Sequence, residues 1–239
     1  MREIEKHTTF DFRGWAEHAL RGLPESTSDE EMTLLRCQVR AIEAGSVIAN
    51  PLPPDPTAPQ IVRKRGELKQ IATQLAGASG VVIDLETSAL NPRVGEIVGL
   101  GLAVECGTYY VPINHRFEET KLLRPDQLTL NDVVGALHIA DLPLVAHNAK
   151  FELRWLRWHA GVTCKFIWDT LLAARLLRSD LPAELKDVAT SELDVPDWGL
   201  SKFDIARIQF LPIDQVARYC AKDCWYTAQL LRKQHACLV

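Results

Sequence analysis

No run of this sequence is long and apolar enough to cross a bilayer. The longest candidate, Ile97 to Cys106, is interrupted by Gly99, Gly101 and Glu105, far from the ~18 uninterrupted apolar residues that a membrane span requires. The opening residues, MREIEKHTTF, are charged and polar, so no signal-peptide core is expected there. The six cysteines, Cys37, Cys106, Cys164, Cys220, Cys224 and Cys237, form no C-x-x-C pair. They read as reduced thiols in a cytoplasmic protein, and no membrane partner is expected. An excess of positive charge is also missing: 27 Lys and Arg face 31 Asp and Glu, a formal net charge of −4. Wholesale phosphate neutralisation is therefore excluded, and nucleic acid would have to be held by a local patch or through metal ions. No internal repeat is visible.

What is present is an ordinary globular composition. The 239 residues are 47% apolar, enough for one sizeable core with a small appendage. The first part reads as that appendage. Asp11 to Leu23 has a helical pattern. Ser28 and Glu31 form a capping box for a second helix with Met32, Leu35, Val39 and Ile42 at helical spacing, stopped by Gly45. ANPLPPDPTAPQ follows, with five prolines between Pro51 and Pro59, which suits neither a helix interior nor a central strand. The sequence thus divides into an N-terminal helical extension (1–48), a proline-rich linker (49–60) and a main domain (61–239).

From Ile61 onward strand and helix patterns alternate. Arg63 to Ala76 reads as a helix and Gly80 to Glu86 as a buried strand. EIVGLGLAVE and GTYYVPIN read as a hairpin turning near Gly107. Pro125 to Ala140 is helical, LPLVAHN a strand, Lys150 to His159 a helix and KFIWDT a short strand. Asp169 is placed to cap a helix over Thr170 to Leu177. Two more helices are predicted near Leu181–Leu193 and Ile213–His235. The expected class is α/β, with a mixed sheet covered by helices on both faces.

Several acids and one tyrosine stand out by position. Asp84 and Glu86 end an apolar strand two residues apart, hence on one face, with the hydroxyls of Thr87 and Ser88 beside them. Two carboxylates so close are costly unless a cation holds them. Glu152 lies four residues after Asn148, on the first turn of a helix; alone it reads as an acid near a helix N-terminus. Tyr219 and Asp223 are four apart on a helical pattern, so a phenol and a carboxylate share one face; alone they read as a surface helix. Together, these acids can converge on two Mg²⁺ ions, which prefer oxygen ligands and share their shell with phosphate. Such an ion pair clamps the attacking and leaving oxygens of phosphodiester hydrolysis, and the tyrosine hydroxyl can orient the attacking water.

Three motifs carry a resemblance at this point: IDLETSALNP, HNAKFEL and YCAKD, with IWDT and ELKDVATSEL between the second and third. Separations of 68 residues from Asp84 to Glu152 and 71 from Glu152 to Asp223 agree with it. From about Val81 to Leu231 the chain resembles the 3′→5′ exonuclease (proofreading) domain of family A DNA polymerases, in the four-carboxylate, ribonuclease H-like superfamily. The resemblance implies a ribonuclease H-like fold and two divalent cations, Mg²⁺ or Mn²⁺, held by Asp84, Glu86, Glu152 and Asp223. Tyr219 would position the water, and Thr87, Asn148 and Phe151 would lie along the bound 3′ strand. Tyr219 stands four residues before Asp223, and Arg218 five before it, which is the pattern of the tyrosine branch. His147 does not occupy the family's catalytic histidine position. Glu152 departs from the family, which has aspartate there.

The expected activity is hydrolysis of single-stranded DNA or primer ends from the 3′ terminus. Only sixteen residues follow Asp223, so the expectation is a stand-alone enzyme, or one that proofreads beside a separate polymerase docked through the N-terminal extension. Two alternatives are an inactive exonuclease-fold module that binds a polymerase or a 3′ end, and an RNA-trimming exoribonuclease.

Overall fold

The computed structural model describes residues 58–178 and 181–238. The two helices expected before residue 46 and most of the proline-rich linker lie outside these residues.

Six strands form one sheet: β1 (Gln60–Ile61), β2 (Val81–Thr87), β3 (Ile97–Val104), β4 (Gly107–Pro112), β5 (Leu144–Ala146) and β6 (Phe166–Asp169). Their order across the sheet is β1-β4-β3-β2-β5-β6. β2, β3 and β4 are antiparallel neighbours, whereas β1–β4, β2–β5 and β5–β6 pair in parallel. The mixed sheet is the one expected. β1 was not anticipated: it follows directly on the prolines and is two residues long, too short to show an alternation.

The helices are α1 (Arg65–Ala76), α2 (Leu130–Leu137), α3 (Ala149–Ala160), α4 (Thr170–Leu177), α5 (Leu185–Leu193), the single turn α6 (Lys202–Ile205) and the long α7 (Ile213–Leu238). Short 3₁₀ turns lie at Ile139–Asp141 and Ile208–Phe210. α1, α2 and α3 pack on one face of the sheet, in a core that includes Leu68, Ile71, Ile83, Leu85, Leu100, Val133, Trp155 and Leu156. α7 covers the other face, with Val82, Ala103, Val145 and Trp168 in one cluster and Val98, Tyr110, Val216, Ala217 and Cys220 in another. α4 and α5 pack against α7.

Several helices start later than their patterns suggested, each for a local reason. Glu67 Oε2 accepts the backbone N–H groups of Arg63 (2.8 Å) and Lys64 (3.0 Å), so these two residues lie outside α1, as a capping box requires. α2 starts at Leu130 because Thr129 caps it, its hydroxyl accepting the Asp132 amide at 3.2 Å. Asp126 (φ 58°) and His138 (φ 51°) are left-handed, which excludes both from an α-helix and trims the expected Pro125–Ala140 at each end. α5 begins only after Glu184, whose backbone is extended.

Candidate active site

The site forms where β2 ends, and the sheet leaves room for it there. Val82, Asp84 and Glu86 face α7, while Ile83 and Leu85 face the core under α1–α3. Asp84 pairs with Gly101 and Glu86 with Gly99 across β2–β3, so each acid has a bare backbone beside it. Both glycines are required by close approach. A Cβ on Gly99 would lie 2.0 Å from Tyr110 Oη, and one on Gly101 would lie 2.4 Å from Cys220 Sγ and 2.9 Å from Cys224 Sγ. The β2–β3 register slips between Glu86 and Thr87, a bulge of the kind that ends pairing and re-aims side chains.

β5 runs parallel to β2 and delivers the start of α3 to the same edge of the sheet. Asn148 sits in the left-handed region (φ 72°) and does not cap α3 with its own side chain. The capping group comes from β6. Asp169 accepts the amides of Asn148 (3.0 Å) and Ala149 (2.8 Å) with one oxygen each, and also those of Leu171 (2.9 Å) and Leu172 (3.4 Å). A single buried carboxylate thus ties together the first turns of α3 and α4, and its negative charge suits both helix N-termini. His147 belongs to the same framework. Its Nδ1 bonds Thr170 Oγ1 and its Nε2 bonds the Ala183 carbonyl, both at 2.8 Å. Both of its ring nitrogens are engaged in this framework. Phe151 is half-buried and packs against Trp155 with ring centroids 5.9 Å apart.

Glu152, on the first turn of α3, is buried to 3% exposure, and its Oε2 has no hydrogen-bond partner. Its pKa is pushed well above the ordinary carboxylate value, first by burial and then by the charge of Asp84, with the backbone amides of Glu152 and Leu85 opposing. The extra methylene therefore still brings this acid into the electrostatic reach of the β2 acids.

The third group comes from α7. Tyr219, Cys220 and Asp223 lie on the part of the helix that meets β2, β3 and β4. Asp223 is buried, and its Oδ1 accepts the Trp198 indole N–H at 2.5 Å, with Lys186 Nζ 3.8 Å away. Lys186 also donates to Tyr219 Oη at 2.9 Å and lies over the Tyr219 and Trp198 rings, 4.7 and 5.4 Å from their centroids. Lys186 and Trp198 were not picked out from the sequence. Lys186 lies inside the recognisable ELKDVATSEL, but one helical lysine carries no signal of its own, and Trp198 sits in an aperiodic stretch before α6.

The four carboxyls share one electrostatic problem. Asp84 is pushed up to about 7 by burial and by Asp223, against the Cys220 bond and Lys186. Glu86 is raised well above its ordinary value by burial and by Asp84 and Asp223. Asp223 is raised by burial, against Lys186, Trp198 and Tyr219. Burial raises the Tyr219 phenol, and Asp223, Glu86 and Asp84 push it the same way, so it stays protonated. Glu86 Oε1, like Glu152 Oε2, is buried without a hydrogen-bond partner. Unpartnered anionic oxygens in one low-dielectric place are what a hard divalent cation relieves. Ligand atoms of Asp84, Glu86 and Cys220 already lie within 4.8 Å of one another. The donor set therefore fits divalent cations.

Two cavities lie at and beyond the end of β2. One, of about 190 Å³, is lined by Glu86, Thr87, Leu90, Ile205, Ile208 and Tyr219, among others. Its far wall, the α6 turn and the 3₁₀ turn after it, was not foreseen. Arg124 holds that wall by donating to the Phe210 carbonyl (3.2 Å), and an Arg207–Glu118 ion pair adds to it. A larger cleft of about 380 Å³ lies between the loop after β2 and α3, lined by Asn91, Pro92, Arg93, Leu153, Arg154, Arg157 and Trp158. Trp158 is 56% exposed, and Arg93 lies 5.4 Å from its ring centroid.

Comparison with known proteins agrees with this geometry. The family A DNA polymerase model described as a 3′-5′ exonuclease matches residues 59–234. DNA polymerase I of Chloroflexus aurantiacus is 28% identical over 226 residues, covering 90% of this chain and 23% of that protein. DNA polymerase I of a Synechocystis strain is 29% identical over 193 residues, covering 75% and 19%. The chain thus spans under a quarter of the length of these relatives. Among solved structures, the catalytic core of Trypanosoma brucei RRP6 superposes with a TM-score of 0.59 at 17% identity, over 83% of this chain and 55% of that one. T. brucei RNase D gives 0.56 at 17% identity, over 72% and 62%. These structures share the fold. With a match across nearly the whole described region and a ribonuclease H-like sheet beneath it, the chain belongs to the 3′→5′ exonuclease family of the family A DNA polymerases.

Proposed function

We propose that this chain is a divalent-cation-dependent 3′→5′ exonuclease that removes nucleoside monophosphates from the 3′ end of single-stranded DNA or a frayed primer. One observation carries the reading: Glu86 and Glu152, from different elements, each bury a carboxylate oxygen with no partner beside Asp84. Burying carboxyl oxygens without a partner is costly, and a bound divalent cation would offset that cost. Asp84, Glu86, Glu152 and Asp223 would hold Mg²⁺ or Mn²⁺. When bound, two such cations neutralise charge on the attacking and leaving oxygens and make water more acidic.

The chain's own groups do the positioning. Tyr219 bonds to Asp223, and Lys186 donates to its oxygen. One lone pair on the phenol oxygen remains, free to accept a hydrogen bond from the attacking water. Water oxygen bonds to phosphorus and releases a proton to solvent, the P–O3′ bond breaks, and the 3′ oxygen of the shortened strand takes up a proton. The cavity of about 190 Å³ beside Glu86 and Tyr219 would receive the terminal nucleoside, with Thr87, Asn148 and Phe151 along the strand. The arginine cleft would supply the local positive patch that the net charge of −4 does not. Residues 1–48, joined through residues 49–60, would dock a separate polymerase where the chain proofreads.

A second reading, trimming of RNA, is favoured by the fold neighbours, since T. brucei RNase D was solved with RNA U12. The relatives similar in sequence are DNA polymerases, which is why DNA comes first. The test uses 5′-labelled DNA and RNA strands of equal sequence, distinguished by the 2′-hydroxyl. Stepwise shortening of DNA with Mg²⁺ or Mn²⁺, abolished by EDTA and by Asp84→Ala, is expected. Faster shortening of RNA would transfer the activity to RNA, and no shortening of either strand would leave only a binding module.

A further inference from the structure

We propose that Cys220 adds a sulfur donor to the cation site at Asp84 and Glu86, so that this site also takes thiophilic divalent ions such as Cd²⁺, Co²⁺ and Zn²⁺. The proposal rests on the reading of Asp84 and Glu86 as cation ligands given above. Cys220 is fully buried on the inward face of α7, between Tyr219 and Asp223 in sequence. Its Sγ lies 3.2 Å from Asp84 Oδ2 and 3.9 Å from the Asp84 carbonyl. Ligand atoms of Asp84, Glu86 and Cys220 fall within 4.8 Å of one another, close enough for one ion to reach all three after small side-chain adjustments.

A second side chain points at a ligand. Glu86 is 7% exposed, and its Oε1 has no partner, so the pocket that holds the sulfur also holds an unsatisfied anionic oxygen. Gly101 makes the placement of the sulfur possible, because any Cβ there would overlap Cys220 Sγ at 2.4 Å. Cys224 lies one helical turn further on, with its Sγ against the same backbone. It backs the first thiol and is absent from the cluster.

Oxygen-only sites suit Mg²⁺, whereas a sulfur ligand favours softer ions. The site should therefore be two-faced. Mg²⁺ or Mn²⁺ would be held through the carboxylates, and Cd²⁺, Co²⁺ or Zn²⁺ through Cys220 together with Asp84 and Glu86, the thiol proton passing to solvent as the sulfur–metal bond forms. Thiophilic ions would then compete with the ions that support hydrolysis.

The experiment titrates the metal-free full chain with Cd²⁺ and Co²⁺ and follows sulfur-to-metal charge-transfer absorption in the ultraviolet. A background carrying C37S, C106S and C237S limits the other thiols. The expected result is a saturable one-to-one band that persists in Cys224→Ala and disappears in Cys220→Ala. In calorimetric titration, Cys220→Ala should weaken Cd²⁺ binding by about tenfold or more and leave Mg²⁺ binding within about threefold. Far-ultraviolet circular dichroism shows that each variant is folded. No band in the background protein, or a band that survives Cys220→Ala, overturns the proposal. The exonuclease reading fails separately: a chain that shows the Cys220-dependent band yet cleaves no strand with Mg²⁺ or Mn²⁺ supports the sulfur ligand and overturns that reading alone.

Discussion

Lys186 Nζ donates a hydrogen bond to Tyr219 Oη at 2.9 Å while standing 3.8 Å from Asp223 Oδ1. A cation from α5 therefore spans the phenol and the carboxylate of α7. It also offsets part of the repulsion among the acids, since its charge lowers the pKa values of Asp84, Glu86 and Asp223 against the effect of burial. Lys186→Met should lower the single-turnover cleavage rate by about tenfold or more, because a phenol displaced by even ~1 Å loses its grip on the water. Lys186→Arg should recover part of that loss. Tyr219→Phe should slow cleavage to a similar or greater extent with strand binding retained. Unchanged rates in both Lys186→Met and Tyr219→Phe would remove the water-orienting role.

Glu152 answers a question that the motif HNAKFEL raises, because its family has aspartate at that position. The side chain is buried, within reach of the charge of Asp84 and unpartnered at Oε2, so the added methylene has not carried it out of the site. Glu152→Ala should cost about 100-fold in rate, the scale expected when a reacting group loses its positioning. Glu152→Asp should change the rate by less than about tenfold. A gain above 100-fold in Glu152→Asp would instead identify the wild-type chain as the impaired one. Rates measured with Mg²⁺ and with Mn²⁺ on one labelled strand would decide.

The acids also set a pH dependence. Asp84 is raised from 3.8 to about 7 in the folded chain. Between those values the folded state holds a proton that the unfolded state has released. Unfolding free energy must then fall as pH rises across that window. Glu86, Glu152 and Asp223 are raised too and act in the same direction. Metal-free protein should therefore have a lower Tm at pH 7.5 than at pH 5, and Asp84→Asn should flatten the slope. Added Mg²⁺ or Mn²⁺ should restore stability most at the higher pH, where the carboxylates are free of protons. A metal-free Tm that rises from pH 5 to pH 7.5 would contradict the placement of these groups.

Much of this was legible in the sequence because the signals were local. Alternating apolar runs announced β2 to β6, and the pairs Asp84/Glu86 and Tyr219/Asp223 have spacings that fix a shared face within one element. Their convergence came from the order of the motifs. Lys186, Trp198 and Cys220 were not legible as site residues, because each acquires its role across the tertiary fold, 33, 25 and 136 residues from the partner it touches. The same holds for Asp169. The sequence suggested a cap for α4, but its bonds to Asn148 and Ala149 need β5 and β6 side by side.

That double cap makes a stability prediction. Asp169→Ala would leave four backbone amides at two helix starts without their acceptor, at roughly 1–3 kcal/mol for each buried donor that water cannot reach. A loss of about 3 kcal/mol or more in denaturant unfolding is expected. Cleavage should fall as well, because the first turn of α3 carries Glu152. His147→Gln, which can keep one of its two bonds, should cost about 1 kcal/mol and leave the shape of the pH–rate profile unchanged. A shifted profile would instead make His147 a proton-transfer group.

The arginine cleft gives the last test. Arg93, Arg154 and Arg157 converge beside an exposed Trp158, a combination that suits a single strand, with phosphates neutralised by arginine and a base stacked on the indole. Each phosphate contact on a single strand contributes about 0.7 to the slope of log affinity against log salt. The double variant R154Q/R157Q should therefore flatten that slope by about 1.4 and raise KM, while kcat stays close to wild type because neither arginine lines the cavity at Glu86 and Tyr219. Trp158→Ala should weaken binding by about 1–3 kcal/mol, the range for lost stacking of one base. The losses should be larger for long strands than for dinucleotides, which offer the cleft fewer phosphates and bases. Equal losses on dinucleotides and long strands would show that these residues act through the fold, and the strand would then have to leave the site by another face.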